Sequence, residues 1–180
     1  MAGKVLCILT DGIEETELVA PVDILRRAGV EVVMATANES AAVTGKMGIR
    51  VGADARLSEV DVNAFDVLLL PGGPAVSELR EAGEIASLAR SFSDAGKVIG
   101  AICAAPLLLY DAGLLEGKRH TSHFSTHEEL TLAEPGERVI VDGLIVTSRG
   151  AGTSVDFGLA LASLVAGRQV AMQVSADIMA

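Results

Sequence analysis

Apolar and polar positions alternate along this chain between two periods. Lys4 to Thr10 is a nearly unbroken apolar run, which predicts a strand buried on both faces. From about Glu15 to Ala28, Leu18, Val22 and Leu25 recur at helical spacing and Gly29 follows, which predicts a helix and its stop. Val30 to Ala37 reads as a second strand. Ala41 to Asp54 holds short β-like pieces broken by Gly45, Gly48 and Gly52. Phe65 to Leu70 is a continuous apolar strand running into Pro71-Gly72-Gly73, and Val76 to Ala95 is amphipathic and predicts one helix. Val98 to Ile102 predicts a strand that leads into Cys103-Ala104-Ala105-Pro106, and Leu107 to Ala112 is helix-like. Arg138 to Ser148 contains two β-like pieces around Asp142-Gly143, a hairpin signal. Ser154 to Ala166 predicts a helix capped by Thr153 or Ser154, and Gln169 to Met179 a last one. Strands alternating with helices imply an α/β fold, with a parallel sheet, right-handed crossovers and helices on both faces.

Composition narrows this further. The chain has 180 residues, which suits one domain over 1–180 with a substantial core. Half of the residues are apolar, yet there are only four Phe, one Tyr and no Trp, so Ala, Val, Leu and Ile must build that core. The net charge is −10, from 14 Lys and Arg against 24 Asp and Glu. Such a surface repels nucleic acid and anionic membranes, and both are discounted as partners. The chain has no 18-residue apolar span and no basic segment ahead of an apolar one, so a soluble cytoplasmic protein is expected. Two cysteines, Cys7 in a strand and Cys103 at a turn, argue against a disulfide framework and for a reducing compartment.

Ligands of such a sheet bind outside the carboxyl ends of its strands. Three loops should meet there: Asp11 to Glu17, Pro71-Gly72-Gly73 and the turn at Cys103. Small residues and Pro106 place Cys103 at a sharp strand-to-helix turn, where helix N–H groups favour a thiolate and depress its pKa. The bland alternative is a small buried apolar residue. Gly72, Gly73 and Ala104 can present backbone N–H groups to an oxyanion, although Pro-Gly-Gly also suits an ordinary tight turn. Glu14, Glu15 and Glu17 suit the first turn of a helix, but three acids exceed what a cap requires. His120, His123 and His127 fall at intervals of three and four, which invites a metal-site reading on a helix. Thr121-Ser122 reads as extended and no acid or cysteine is fixed nearby, so no metal and no cofactor is expected.

Five segments together resemble the DJ-one/ThiJ/PfpI superfamily over essentially the full length. They are Asp11-Gly-Ile-Glu-Glu-Thr-Glu17, Pro21-Val-Asp-Ile-Leu-Arg-Arg-Ala-Gly29, Leu70-Pro-Gly-Gly73, Ala101-Ile-Cys-Ala-Ala-Pro106 and Thr147-Ser-Arg-Gly-Ala-Gly-Thr-Ser154. Each is weak alone; the five in order are specific. The resemblance implies a flavodoxin-like three-layer sandwich (a class I glutamine amidotransferase-like fold), usually a homodimer. It implies that Cys103 is the cysteine of a nucleophile elbow, that Glu17 is the acid bonded to its thiol, and that His123 lines the same pocket. Relatives of the protease-like branch carry a histidine directly after the cysteine. Ala104 stands there instead, which disfavours a peptidase and places the chain in the DJ-one-like bacterial branch.

The residues agree with those roles. A protonated Glu17 can donate to a Cys103 thiolate, giving a nucleophile and a general acid/base, with His123 as an assistant. Arg149 matches a family arginine near the pocket or the dimer interface, and a surface salt bridge would explain it as well. Arg26 and Arg27 suit anion binding or simply a solvated helix face. The resemblance implies either of two roles. One is a glutathione-independent glyoxalase or deglycase acting on methylglyoxal, glyoxal or their adducts. The other is a redox-sensing stress protein or chaperone whose Cys103 oxidises to sulfinate. A thiamine-pathway role has only the superfamily's naming behind it.

Overall fold

The computed structural model of the chain describes residues 3–180. Its strands are β1 (Lys4–Leu9), β2 (Glu31–Thr36), β3 (Ala42–Thr44), β4 (Arg50–Gly52), β5 (Ala55–Arg56), β6 (Val67–Leu70), β7 (Val98–Ile102), β8 (Val139–Asp142) and β9 (Ile145–Ser148). Its helices are α1 (Glu15–Arg27), α2 (Ala75–Ala82), α3 (Glu84–Asp94), α4 (Pro106–Asp111), α5 (Ser154–Val165) and α6 (Arg168–Asp177).

Seven strands form one sheet in the order β5-β2-β1-β6-β7-β9-β8, and every pairing is parallel except β8 with β9. Because strand residues alternate in direction, the unbroken apolar run of β1 feeds two cores. Val5, Cys7 and Leu9 pack with α1, α5 and α6 on one face, while Leu6 and Ile8 pack with α2, α3 and α4 on the other. These are the three layers of a flavodoxin-like α/β sandwich.

The chain leaves β1 for β2 on one side and returns to β6 on the other, so a crevice opens between the carboxyl ends of β1 and β6. The small hairpin β3–β4 lies outside the main sheet. Gly12 donates its N–H to Thr44 O at 2.8 Å, and Lys46 donates to Ile13 O at 2.8 Å, which docks that hairpin on the loop after β1.

Two expectations need correction, and one short strand was not foreseen. The amphipathic stretch Val76 to Ala95 is two helices, because Gly83 takes φ +73 and ends α2 by accepting the left-handed conformation a side chain resists. Thr153 takes the N-cap position of α5, but its side chain makes no capping bond. Thr153 Oγ1 is instead occupied with Gly150 O at 2.8 Å and Ser148 Oγ at 2.6 Å. The two-residue strand β5 follows the glycine-broken region Ala41 to Asp54, is too short to show a period of its own, and was not predicted. Among the described residues no helix is long and apolar enough to cross a membrane.

Candidate active site

Cys103 follows the last residue of β7. Its N–H donates to Ser148 O at 2.8 Å and its carbonyl accepts the His123 N–H at 2.9 Å. Clamped between these neighbours, it adopts φ +65, one of two described non-glycine residues at positive φ. Pro106 then opens α4 at its first turn, where the missing N–H leaves nothing unpaired.

The three acids around the start of α1 have separate tasks. Glu14 is the N-cap, and its Oε2 accepts the Glu17 N–H at 2.8 Å. Glu15 turns under the β3–β4 hairpin, where its Oε1 accepts the N–H groups of Met47 (2.9 Å) and Ile49 (3.2 Å). Glu17 is 1 % exposed and hydrogen-bonds Cys103, while its Oε2 accepts the Gly72 N–H at 3.1 Å. Gly72 is required at this approach. A Cβ there would lie 2.6 Å from Glu17 Oε2 and 2.7 Å from Cys103 Cβ.

Burial pushes the Glu17 carboxyl up to about 7, against the bonds from Cys103 and Gly72. Burial and then the Glu17 charge push the Cys103 thiol up to about 12, opposed by N–H bonds from Ala104 and Gly73. The expected depression of Cys103 is therefore reversed: desolvation and a neighbouring carboxylate outweigh the N–H groups at the turn. The two groups titrate as one pair, which loses its first proton near 7 and keeps the second far longer. Cys7 is fully buried, and burial also pushes its thiol up.

His123 caps a 3-10 turn over Phe124–Thr126. Its Nδ1 lies 2.8 Å from Ser125 Oγ and accepts the Ser125 N–H at 3.3 Å, so the ring proton sits on Nε2. Burial, Lys46 and His127 lower its pKa, so the ring is neutral at pH 7. Glu14, Glu17, Lys46, Gly73, Cys103, Ala104 and His123 line one open cleft of about 550 Å³, together with Arg80 and Glu129. Of the predicted backbone donors, Gly73 and Ala104 aim at the sulfur, whereas Gly72 is committed to Glu17.

Arg149 lies in an adjoining cleft of about 460 Å³ that shares His123 and Ala151, and its Nη1 donates to Pro135 O at 3.3 Å. Arg27 is not brought to either cleft. It pairs with Asp23 at 2.6 Å on the exposed face of α1, and Arg26 pairs with Asp54. Thr121 and Ser122 are not helical, so His120, His123 and His127 do not share a helix face. Among the described residues no group of three or more His, Cys, Asp or Glu could hold a metal ion.

Two residues of the cleft escaped the sequence reading. Arg80 looked like one more polar residue on an amphipathic helix, yet it forks to Asp111 and Glu129, tying α2 to α4 and to the segment after His123. Lys46 was signalled only by the Gly45-Lys46-Met47-Gly48 turn, and nothing local says what that turn faces.

The signature of the DJ-1/PfpI family matches residues 3–164. The chain belongs to the DJ-1/PfpI family. Within the family it is 37 % identical over 175 residues to Protein DJ-1 homolog B of Arabidopsis thaliana, covering 96 % of this chain but 40 % of that protein. The chain thus spans less than half of that relative. It is 32 % identical over 159 residues to glutathione-independent glyoxalase DJR-1.2 of Caenorhabditis elegans (86 % of this chain, 83 % of the other). Deglycase TK1284 of Thermococcus kodakarensis is 34 % identical over 152 residues (83 % and 91 %). The crystal structure of Drosophila melanogaster DJ-1beta superimposes with a TM-score of 0.94 at 35 % identity, covering 99 % of this chain and 98 % of that one. In this chain Cys103, Glu17 and His123 line one cleft at the carboxyl ends of the strands.

Proposed function

We propose that the protein is a cysteine-dependent, glutathione-independent enzyme of glyoxalase or deglycase type. Its substrates would be methylglyoxal, glyoxal or their adducts, and its products hydroxy acids, in protection against carbonyl and oxidative stress. One observation carries the reading. A buried carboxyl that keeps its proton up to about 7 hydrogen-bonds a thiol that opens on a cleft.

That pair suits the chemistry in sequence. From the singly charged pair, with its one proton on Glu17, Cys103 Sγ attacks the aldehyde carbon as the thiolate, and the new hemithioacetal oxygen then takes that proton. As a carboxylate, Glu17 removes the proton from the former aldehyde carbon and returns it to the neighbouring carbon through an enediol. The result is a lactoyl thioester on Cys103. Water hydrolyses it to lactate and restores the thiol, so the net reaction is methylglyoxal plus water giving lactate and a proton. Oxidation of one carbon is matched by reduction of its neighbour, and no external oxidant enters. Gly73 and Ala104 N–H groups stabilise charge beside the sulfur. His123, a neutral ring with a proton on Nε2, orients the carbonyl, and Arg149 borders the path in. The relatives named glyoxalase and deglycase support this class. Ala104 leaves no histidine beside the nucleophile, which disfavours peptide cleavage.

A second reading has an observation of its own. The N–H groups of Gly73 and Ala104 at Sγ, with Glu17 opposite, also suit the oxygens of a sulfinate. Two equivalents of peroxide would oxidise Cys103 through sulfenate to sulfinate, releasing water, in a stress sensor or chaperone without turnover. Methylglyoxal added to the purified protein without glutathione separates the two readings. Lactate formation supports the enzyme. No lactate, with ready conversion of Cys103 to sulfinate, supports the sensor.

A further inference from the structure

Lys46 is the part of the cleft that this chemistry leaves unused. It occupies the turn between β3 and β4, and that turn is fixed from below. Glu15, 5 % exposed, accepts two of the turn's N–H groups, and Lys46 donates its own N–H to Ile13 O at 2.8 Å. Gly45 is required there, because a Cβ would overlap the Glu15 carboxyl. The Lys46 backbone is thus tied to the loop that carries Glu14 and leads to Glu17, and its side chain lines the same cleft as Cys103.

The charges around it are unequally engaged. Arg80, the other permanent cation lining the cleft, is neutralised by Asp111 at 2.7 Å and Glu129 at 2.8 Å. Glu14 is occupied as a cap. Among the described residues Lys46 makes no ion pair, although the chain carries a net charge of −10. Its charge acts on both Glu17 and His123. An unpaired ammonium beside a nucleophile attracts anionic reactants, and a strand-turn mounting keeps it there.

We propose that Lys46 determines specificity by binding an anionic group on the molecule that reacts at Cys103. The cleft then favours 2-oxoaldehydes or adducts bearing a carboxylate or phosphate over neutral methylglyoxal. The substrate class rests on the carbonyl reading above; the preference for an anion does not.

The test uses two electrophiles that differ in charge. Iodoacetate and iodoacetamide both alkylate a thiolate, forming a sulfur–carbon bond with loss of iodide. The ratio of their rates at Cys103, measured by mass spectrometry, cancels any change in the thiol itself. Lys46→Gln should lower the iodoacetate-to-iodoacetamide ratio roughly fivefold at low salt, the size expected of one exposed charge about 4 Å from its partner. The wild-type advantage should fade at about 0.5 M salt, and Lys46→Arg should keep it. An unchanged ratio in Lys46→Gln, or a wild-type ratio indifferent to salt, overturns the proposal. Turnover of para-carboxyphenylglyoxal against phenylglyoxal then tests the substrate class. Wild type should prefer the carboxylated compound and Lys46→Gln should not. Absence of turnover with either, alongside an intact alkylation ratio, would sink the carbonyl reading and leave the anion site standing.

Discussion

Glu17→Gln should make the protein more stable at neutral pH while leaving its stability in acid nearly unchanged. Glutamine has the shape of the protonated carboxyl and keeps a donor for Cys103 and an acceptor for the Gly72 N–H. The wild-type carboxyl titrates at 4.5 when unfolded and at about 7 when folded. Between those values the folded state holds more protons than the unfolded one, so stability falls as pH rises. The contribution of Glu17 is most favourable below 4.5, declines across this window and is least favourable above about 7. At about 1.4 kcal/mol per pH unit, the whole span is about 3 kcal/mol. For a chain of this size that corresponds to roughly 6–12 °C in Tm. Urea unfolding of both proteins at steps from about pH 4.5 to 8 measures it, and stopping there avoids the ionisation of unfolded thiols. Groups that do not touch Glu17 cancel in the difference. A flat difference curve, or wild type gaining on the variant as pH rises, would refute the assignment of a buried, proton-retaining Glu17.

Other outcomes follow from the same site. Iodoacetamide should label Cys103 and spare Cys7, with a rate that climbs near pH 7 as the pair loses its first proton; equal labelling of both cysteines would defeat the assignment. Cys103→Ser should abolish lactate formation, and Glu17→Gln should cut it roughly 10²–10⁴-fold, with His123→Ala milder; intact turnover in Glu17→Gln would remove its acid/base role. A soluble homodimer is expected, and sedimentation as a monomer at micromolar concentration would overturn it.

The layers of the fold were legible because β1, β6 and β7 are uniformly apolar and α1 has a clean period. Buried parallel strands and amphipathic helices leave that imprint on any sequence. The convergence of Glu17, Gly73 and Cys103 was legible from topology, since each ends or follows a strand of one parallel sheet. What escaped was set by tertiary context. Gly83 inside an amphipathic run does not announce whether the helix bends through it or stops. Lys46 reaches the cleft only because Glu15, far away in sequence, pins the hairpin under it. The direction of the Cys103 shift depended on how deeply the thiol is buried, which no motif records. Gly72 and Gly73 looked equivalent as donors, and only the Glu17 carboxylate distinguishes them.

The φ of +65 at Cys103 has a consequence for what is conserved when the chemistry is removed. Serine or alanine at that position still carries a Cβ and inherits the same unfavourable torsion. Glycine alone would follow this path without resistance, with a gain on the order of 1 kcal/mol. At neutral pH, Cys103→Gly and Glu17→Gln would each leave a sturdier molecule with little or none of the activity. Residual stability in a close relative lacking either residue is therefore no sign of retained activity. A screen that selects only for folding would drift toward erasing this site first.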